Sequence, residues 1–287
     1  MAAAIIDGKA AAAEVRERVT VSTAAFVERA GRPPGLVGVQ VGDDPASEVY
    51  QRMKEEAARA CGMSSRRVVL PAGTTQAELD ALIDELNADP AVDGMLVQLP
   101  VPEPLTEPAI AARIDPEKEV DGFSPVNLGR LMRGEPGLVP CTPTGVMWLL
   151  ESAGVELQGA RAIVIGRSLI VGKPVALLLL QRHATVTLCH SRTRDLRGVV
   201  REGDVVIAAV GRARLVGREW VKPGAAVIDV GVNAVGSELV GDVDFEGVQG
   251  VASLRTPPRG GVGPMTITML LRNTLEAHLR RTGAHAA

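Results

Sequence analysis

The sequence predicts an α/β protein of two domains, and three observations carry that expectation. Short apolar runs rich in valine, isoleucine and leucine alternate with longer stretches of helical character. Between about Arg133 and Cys141 the periodicity is interrupted by Gly134, Pro136, Gly137 and Pro140. Hydrophobic residues make up 46% of the 287, enough for two modest cores.

The expected strands are Leu36–Val41, Arg67–Leu70, Gly94–Leu99, Ala162–Ile165, Thr185–Cys189, Val205–Val210 and Ala226–Val230. Continuously apolar strands separated by helices read as a parallel sheet covered on both faces. The expected helices are Lys9–Ala30, Ala46–Cys61, Gln76–Asn87, Pro143–Ser152, Lys173–Arg182 and Met265–Arg281. Thr75-x-x-Glu78 is a capping-box pattern, and Thr142-Pro143 puts a cap donor before proline at a first helical position. The broken stretch sets a boundary, giving a first domain of residues 1–138 and a second of 139–264. The last helix, within 265–287, follows the glycine-rich run Gly260-Gly261-Val262-Gly263-Pro264 and has room to return to the first domain, leaving a ligand cleft between the two.

Composition excludes several classes of function. A net charge of −3 offers no nucleic-acid-binding surface. Apolar runs such as Val175–Leu180 fall far short of the roughly 20 residues that span a bilayer, and Met1–Lys9 has no charged region followed by an apolar one, so neither membrane nor secretion is expected. Cys61, Cys141 and Cys189 stand far apart in no metal or redox pattern, which fits reduced thiols in a cytoplasm. His183, His190, His278 and His285 lack metal-ligand spacing, so no metal site is expected.

The run Arg161-Ala-Ile-Val-Ile-Gly166 enters a turn, Gly166-Arg167-Ser168, and Gly172-Lys173-Pro174 then opens a helix. A tight turn after a strand needs a residue without Cβ, and a pyrophosphate needs backbone N–H groups at a helix N-terminus. The order of strand, turn, helix and second strand reads as a Rossmann-type dinucleotide-binding unit, although a serine takes the second glycine place and the last glycine comes one residue late. Where an NAD site usually has an acid at the end of the second strand, this chain has His190, Ser191 and Arg192, with Arg167 in the turn. Hydroxyl and guanidinium groups suit a 2′-phosphate, so NADP is favoured; Asp195, slightly later, keeps NAD open.

In the first domain Tyr50, the single tyrosine, and Lys54 stand at i and i+4 on one helix face. An ammonium beside a phenol can transfer protons, though a lysine on an amphipathic helix can equally point to water. Gln98 ends an apolar strand, where it could reach a substrate, hold Lys54, or simply terminate the strand. The segment Lys118–Asn127 reads as a loop rich in turn formers, with Asp121 either in an Asx-turn or on a ligand.

Taken together these segments resemble one family, the bifunctional methylenetetrahydrofolate dehydrogenase/methenyltetrahydrofolate cyclohydrolases. The matching pieces are Ile6-Asp7-Gly8-Lys9, Ser47-x-x-Tyr50-x-x-x-Lys54, Asp93-Gly94-x-x-Val97-Gln98-Leu99-Pro100, Asp121-Gly122 and Pro140-Cys141-Thr142-Pro143-x-Gly145. They continue with Gly166-Arg167-Ser168-x-x-Val171-Gly172-Lys173-Pro174, Ala184-Thr185-Val186-Thr187, His190-Ser191, Ile228-Asp229-Val230-Gly231-Val232-Asn233 and Gly260-Gly261-Val262-Gly263-Pro264-Met265-Thr266.

The resemblance implies an N-terminal α/β substrate domain, a Rossmann-type NADP domain, a C-terminal helix returning to the first domain, and a homodimer. It implies oxidation of 5,10-methylenetetrahydrofolate with NADP, followed by hydrolysis of the methenyl product to 10-formyltetrahydrofolate. Lys54 would be the catalytic lysine, Gln98 its hydrogen-bonded modulator, Tyr50 the residue that orients the folate, and Asp121 the one that holds the pterin. Val97, Leu99, Gly260, Gly261, Gly263 and Pro264 would complete the folate site. Gly166, Arg167, Ser168, Ser191, Arg192 and Val232 would contact the cofactor. Two positions depart from the family: Arg259 stands where a proline is usual, and Ser124 where many bacterial members have histidine. Competing readings are an enzyme with one of the two activities, a dinucleotide sensor on the same fold, and a two-domain dehydrogenase of an acid such as shikimate.

Overall fold

The computed structural model describes residues 3–282; readings that touch Met1, Ala2 and His285 lie outside the described residues. The chain begins with β1 (Ala4–Ile5), α1 (Gly8–Ala30), β2 (Gly35–Val41), α2 (Pro45–Ala60), β3 (Ser64–Leu70), α3 (Gln76–Ala88) and β4 (Gly94–Val97). Two short helices follow, α4 (Glu107–Arg113) and α5 (Pro125–Arg133), then α6 (Cys141–Ser152), β5 (Arg161–Ile165), α7 (Gly172–Gln181), β6 (Thr185–Cys189), α8 (Leu196–Val200) and β7 (Val205–Ala208). After a 3-10 turn come β8 (Ala226–Asp229), β9 (Asn233–Val235), β10 (Glu238–Val240), α9 (Phe245–Val248), β11 (Leu254–Arg255) and α10 (Val262–Thr282).

Two compact units divide this chain: residues 14–141 with the end of α10 from Ile267, and residues up to Ala13 with Thr142–Thr266. In the first unit three parallel strands lie in the order β3–β2–β4, and a parallel bridge between Met95 and Glu119 carries a further segment beside β4. Strands β2 and β4 are buried throughout, while the edge strand β3 alternates. Val37, Val39, Leu79, Ile83, Leu86, Met95 and Val97 form the core. Because the chain runs from β2 out to β3 and then back past β2 to β4, the strand order reverses between β2 and β4. Beyond their C-terminal ends lies the crevice where open α/β sheets bind ligands.

The end of α10 belongs to this first unit, and its polar side chains explain why. Asn273 donates Nδ2 to the carbonyls of Val120 and Val139 at 2.8 and 2.9 Å. Arg280 pairs with Glu117 at 3.0 Å, and His278 sits edge-on to Phe26 of α1 at 4.2 Å. At the centre is Asp93, whose fully buried carboxylate receives Arg32 at 2.6 Å, Arg281 at 2.7 Å, His278 at 2.8 Å and the Gly35 N–H at 2.8 Å. Burial alone would raise the Asp93 carboxyl, but the bonds from Arg32, Gly35 and His278 outweigh it and hold the group below the usual carboxylate range.

The second unit holds six strands, all parallel, in the order β1–β11–β8–β7–β5–β6. Strands β7 and β8 are wholly buried, β5 after its first residue, and the edge strand β6 is half-exposed. Their core includes Ile163, Ile165, Cys189, Val206, Ala208, Val227 and Val248. Here too the order reverses, between β5 and β7. The hairpin β9–β10 stands apart as a two-stranded antiparallel sheet.

All seven expected strands and all six expected helices are present, Thr185–Cys189 with the expected ends and the others with shifted ones. Residues up to Ala13 join the second unit rather than the first, because β1 pairs with β11 through Ala4 and Ile5. Helix α6 starts at Cys141, before Thr142-Pro143, so Thr142 does not cap it; the Thr142 hydroxyl instead bonds that of Thr266 at 2.9 Å. Helix α10 likewise starts at Val262, and in both cases proline is accommodated in the first turn, where its missing N–H has no intrahelical partner. The capping box at Thr75 and Glu78 is formed in both directions. The expected loop Lys118–Asn127 ends within α5, whose first turn is capped by Ser124 accepting from Asn127 N at 3.1 Å. Among the described residues no helix is long and apolar enough to cross a membrane, and no cluster of histidine, cysteine and carboxylate could hold a metal.

Breaking a buried ion pair from one side leaves the other charges uncompensated. Asp93→Asn is therefore expected to cost about 3–5 kcal/mol at pH 7. The folded-state carboxyl lies below its unfolded value, so this stability is present above the ordinary aspartate pKa and is lost as the pH falls through the lowered one. Urea denaturation of both proteins at neutral and acidic pH checks this: the gap should narrow on acidification.

Candidate active site

In the first unit the helix α2 starts with Asp44, whose carboxylate accepts from Ser47 N at 2.7 Å, and with Pro45 at its first position. Ser47, Gln51 and Ala58 form its buried stripe. Lys54, a turn from Gln51 and Ala58, sits at the edge of that stripe and is partly buried. Tyr50, one turn earlier, is 47% exposed.

Gln98 follows β4 directly, and its N–H bonds the Val39 carbonyl at 2.8 Å, which extends the β2–β4 pairing by one residue. Its side-chain Nε2 donates to the Leu99 carbonyl at 2.7 Å. With the amide nitrogen so engaged, Oε1 faces the other way and accepts from Lys54 Nζ at 3.0 Å. The two side chains are thus joined, and Lys54 is not turned wholly to water. Val97 is buried beneath Gln98 and Leu99 is partly buried.

Asp121 follows the segment paired with Met95 and lies within electrostatic reach of Lys54. Burial pushes its carboxyl up, and the Lys54 charge draws it back. Three further groups surround it. The Glu119 carboxyl is pushed up to about 8, by burial first and then by Asp121. The Cys141 thiol is pushed well above its ordinary range by burial, Asp121 and Glu119; it donates to the Val120 carbonyl at 3.2 Å and is no nucleophile. Asn273 reaches Cys141 Sγ at 3.5 Å. Sequence reasoning passed over Glu119 and Asn273; the bridge to Met95 and the fold-back of α10 that place them carry no local signal.

Of the other expected substrate contacts, Gly260, Gly261, Gly263 and Pro264 belong to the second unit, where they form the turn into α10 and its first helical residues. Arg259 is exposed on that turn.

The second unit holds a pocket of about 310 Å³ at the β5–β7 reversal, lined by Gly166, Arg167, Ser168, His190, Ser191, Arg212 and apolar neighbours including Ile165, Leu196 and Val210. Gly166 has φ +120°, and a Cβ there would overlap the Ala209 carbonyl; one at Gly172 would overlap that of Gly166. Both glycines therefore keep the strand end, the helix start and the β7 loop within contact distance. Ser168, at the missing glycine place, accepts from Val171 N and Gly172 N at 3.1 and 3.3 Å, which leaves its hydroxyl hydrogen free to donate. The end of β6 is locked as well: Thr193 Oγ1 accepts from His190 N at 2.9 Å, and His190 Nδ1 accepts from Arg192 N at 3.1 Å. Arg192 and Val232 are exposed and do not line the pocket.

Arg212 and its support were not anticipated from sequence, although the loop directly follows an expected strand. Asp242, fully buried, accepts from the N–H groups of Val210, Gly211 and Arg212 at 2.6, 3.0 and 2.7 Å and from Asn233 Nδ2 at 2.9 Å. Three successive N–H groups converging on one carboxylate fix the β7 loop. Asp229 accepts from Gly231, Asp242 and Val243 N–H groups at 2.9 to 3.0 Å, and burial pushes its carboxyl up to about 6.

The sequence and fold can be set beside known proteins. The family model for the tetrahydrofolate dehydrogenase/cyclohydrolase catalytic domain matches residues 6–121, and that for the family's NAD(P)-binding domain matches residues 140–282. The bifunctional protein FolD 2 of Geobacter metallireducens is 57% identical over 280 residues, covering 97% of this chain and 98% of the relative. The solved bifunctional FolD methylenetetrahydrofolate dehydrogenase/cyclohydrolase of Campylobacter jejuni matches with a TM-score of 0.95 at 44% identity, over 98% of this chain and 100% of that one. The Trypanosoma brucei N5,N10-methylenetetrahydrofolate dehydrogenase-cyclohydrolase, solved with NADP and an inhibitor, matches with a TM-score of 0.93 at 42% identity over 99% and 100%. With both family models matched in order, this chain belongs to the tetrahydrofolate dehydrogenase/cyclohydrolase family, and it is a bifunctional enzyme of one-carbon folate metabolism with a catalytic domain followed by an NAD(P)-binding domain.

Proposed function

We propose that the chain oxidises 5,10-methylenetetrahydrofolate to the methenyl form with NADP and then hydrolyses that product to 10-formyltetrahydrofolate, with Lys54 as the catalytic lysine of the second step. The observation that carries this reading is the contact of Lys54 Nζ with Gln98 Oε1 at 3.0 Å, with Asp121 in electrostatic reach. A dinucleotide sensor or an enzyme limited to dehydrogenation has no need of a lysine held in place by an amide.

Bound NADP supplies the hydride acceptor for the first step. What that step asks of the protein is orientation and exclusion of water rather than an acid or base. Asp121 accepts hydrogen bonds from the pterin edge, and Tyr50 packs on the ring; Val97 and Leu99 flank the site beside Gln98. Gly260, Gly261, Gly263 and Pro264 complete the folate contacts. In the second step water attacks the methenyl carbon and the ring opens, which requires protons to move; Lys54 serves this, with Gln98 fixing its Nζ.

The cofactor is NADP rather than NAD. Arg167 and Arg212 line the nucleotide pocket with Ser168, His190 and Ser191, and no acidic side chain is among the lining residues. Asp195, which kept NAD open, has its carboxylate on Gly198 N at 3.2 Å as the cap of α8. Arg192 and Val232 act from outside the pocket lining, at the end of β6 and before β9. Two features of the pocket suit a dinucleotide: the Gly166–Gly172 turn that a Cβ would fill, and the free hydroxyl hydrogen of Ser168. We further read the protein as a homodimer, which rests on the family resemblance alone, and as cytoplasmic with no nucleic-acid partner, in keeping with its bacterial relatives and its net charge of −3.

Lys54→Ala should lower formation of 10-formyltetrahydrofolate by at least about 100-fold while methenyl product still accumulates. Following methenyl absorbance checks this, and undiminished hydrolysis would refute the role. Arg167→Ala should reduce the NADP-over-NAD ratio of kcat/KM about tenfold, equivalent to about 1.4 kcal/mol; an unchanged ratio removes Arg167 from the 2′-phosphate. Asp242→Asn is expected to loosen the β7 loop and raise the NADP Kd about tenfold, since hydrogen bonds to a charged acceptor are each worth about 1.5–3 kcal/mol. Fluorescence titration of the reduced cofactor measures it.

A further inference from the structure

The turn that carries Asp121 is shaped by a buried side chain two residues before it. Glu119 is 3% exposed, and its main chain is fixed beside β4: Met95 N bonds the Lys118 carbonyl at 2.8 Å and Val120 N bonds the Met95 carbonyl at 3.3 Å. From that anchored position the carboxylate reaches forward along the chain. Its Oε1 accepts from Gly122 N at 3.0 Å and its Oε2 from Ser124 N at 2.8 Å. Gly122 has φ +83°, and a Cβ there would overlap the backbone at Val139 and Pro140, so the turn lies tight against the next segment. Asn273 holds both neighbouring carbonyls, of Val120 and Val139.

A carboxylate is a costly group to bury at this place. Its charged neighbours are Asp121 on the same turn and, beyond it, Lys54 on α2, with the thiol of Cys141 on α6. Burial and the like charge of Asp121 raise it to about 8. An apolar side chain or a glutamine would fill the volume without that cost, yet neither offers one acceptor oxygen to each of two N–H groups. The geometry of the carboxylate is therefore what the turn requires.

We infer that Glu119 is a positioning residue for the folate: it touches no substrate, but by holding the Gly122 and Ser124 N–H groups it sets where Asp121 stands. This rests on the reading of Asp121 as the residue that holds the pterin.

The test compares Glu119→Gln with Asp121→Asn in both reactions. In Glu119→Gln one of the two N–H groups faces an amide nitrogen, and the folate KM should rise about tenfold, as expected when one buried N–H group loses its partner at a cost of about 1–3 kcal/mol. Turnover should change little, and the NADP Kd should stay within about twofold of the parent, because the cofactor pocket lies in the other unit. An unchanged folate KM, or a parallel loss of cofactor binding, overturns the inference. If Asp121→Asn raises the folate KM and Glu119→Gln does not, Glu119 alone falls. If neither does, the reading of Asp121 falls first and the inference with it. Should Glu119→Gln fail to fold, Glu119→Asp replaces it. One methylene shorter, it draws the carboxylate back from the two N–H groups, so a raised folate KM supports the inference and an unchanged one refutes it.

Discussion

The chemistry of this protein depends on its central strands being parallel and buried on both faces. Such strands satisfy their backbone polar groups within the sheet and present mostly apolar side chains to the covering helices, with Gln40 and Asp229 as buried polar exceptions near strand ends. Polar function is then left to the loops beyond the strand ends. In each unit the strand order reverses once, between β2 and β4 and between β5 and β7, and the loops diverge there to leave a crevice. Gln98 leaves β4, and Asp121 leaves the segment paired beside it. Gly166 leaves β5, and Val210–Arg212 leave β7.

A crevice made of loops needs something to hold the loops still, and here buried carboxylates serve. Asp93 fixes the end of α10 to the start of β4, Glu119 fixes the turn of Asp121, and Asp242 with Asp229 fixes the loop after β7. Their surroundings differ in a way that burial and charge account for. Asp93 is met by the Arg32 guanidinium, the Gly35 N–H and the His278 imidazole, which hold its carboxyl low against the cost of burial. Glu119 and Asp229 are met by backbone N–H groups and by another carboxylate, and burial prevails, raising them to about 8 and about 6.

Much of the fold was legible in the sequence for one reason: continuously apolar strands and capped helices announce themselves locally. Thr75-x-x-Glu78 formed the expected box, and the runs at 162–165 and 205–208 are strands buried throughout. What escaped was short or dependent on a distant partner. Ala4–Ile5 and Leu254–Arg255 are two-residue strands that exist only through each other and β8. The helix α5 is hidden in a segment of turn-forming residues until Ser124 is seen as a cap.

The candidate sites divide along the same line. The sequence by itself determined the residue types and their order: a lysine one turn after a tyrosine, an amide at a strand end, an aspartate before a glycine, and a glycine-bounded turn opening a helix. Those patterns sufficed for the family and for a nicotinamide cofactor, because each is a local requirement of the chemistry. Only the tertiary structure decided which groups act on one another. The Lys54–Gln98 bond spans 44 positions, the Asn273 contacts more than 130, and Arg212 is placed by Asp242 thirty residues later. Hydrogen bonds and buried charges act over a few ångströms in space, and separation along the chain carries no trace of which distant groups the fold will bring that close.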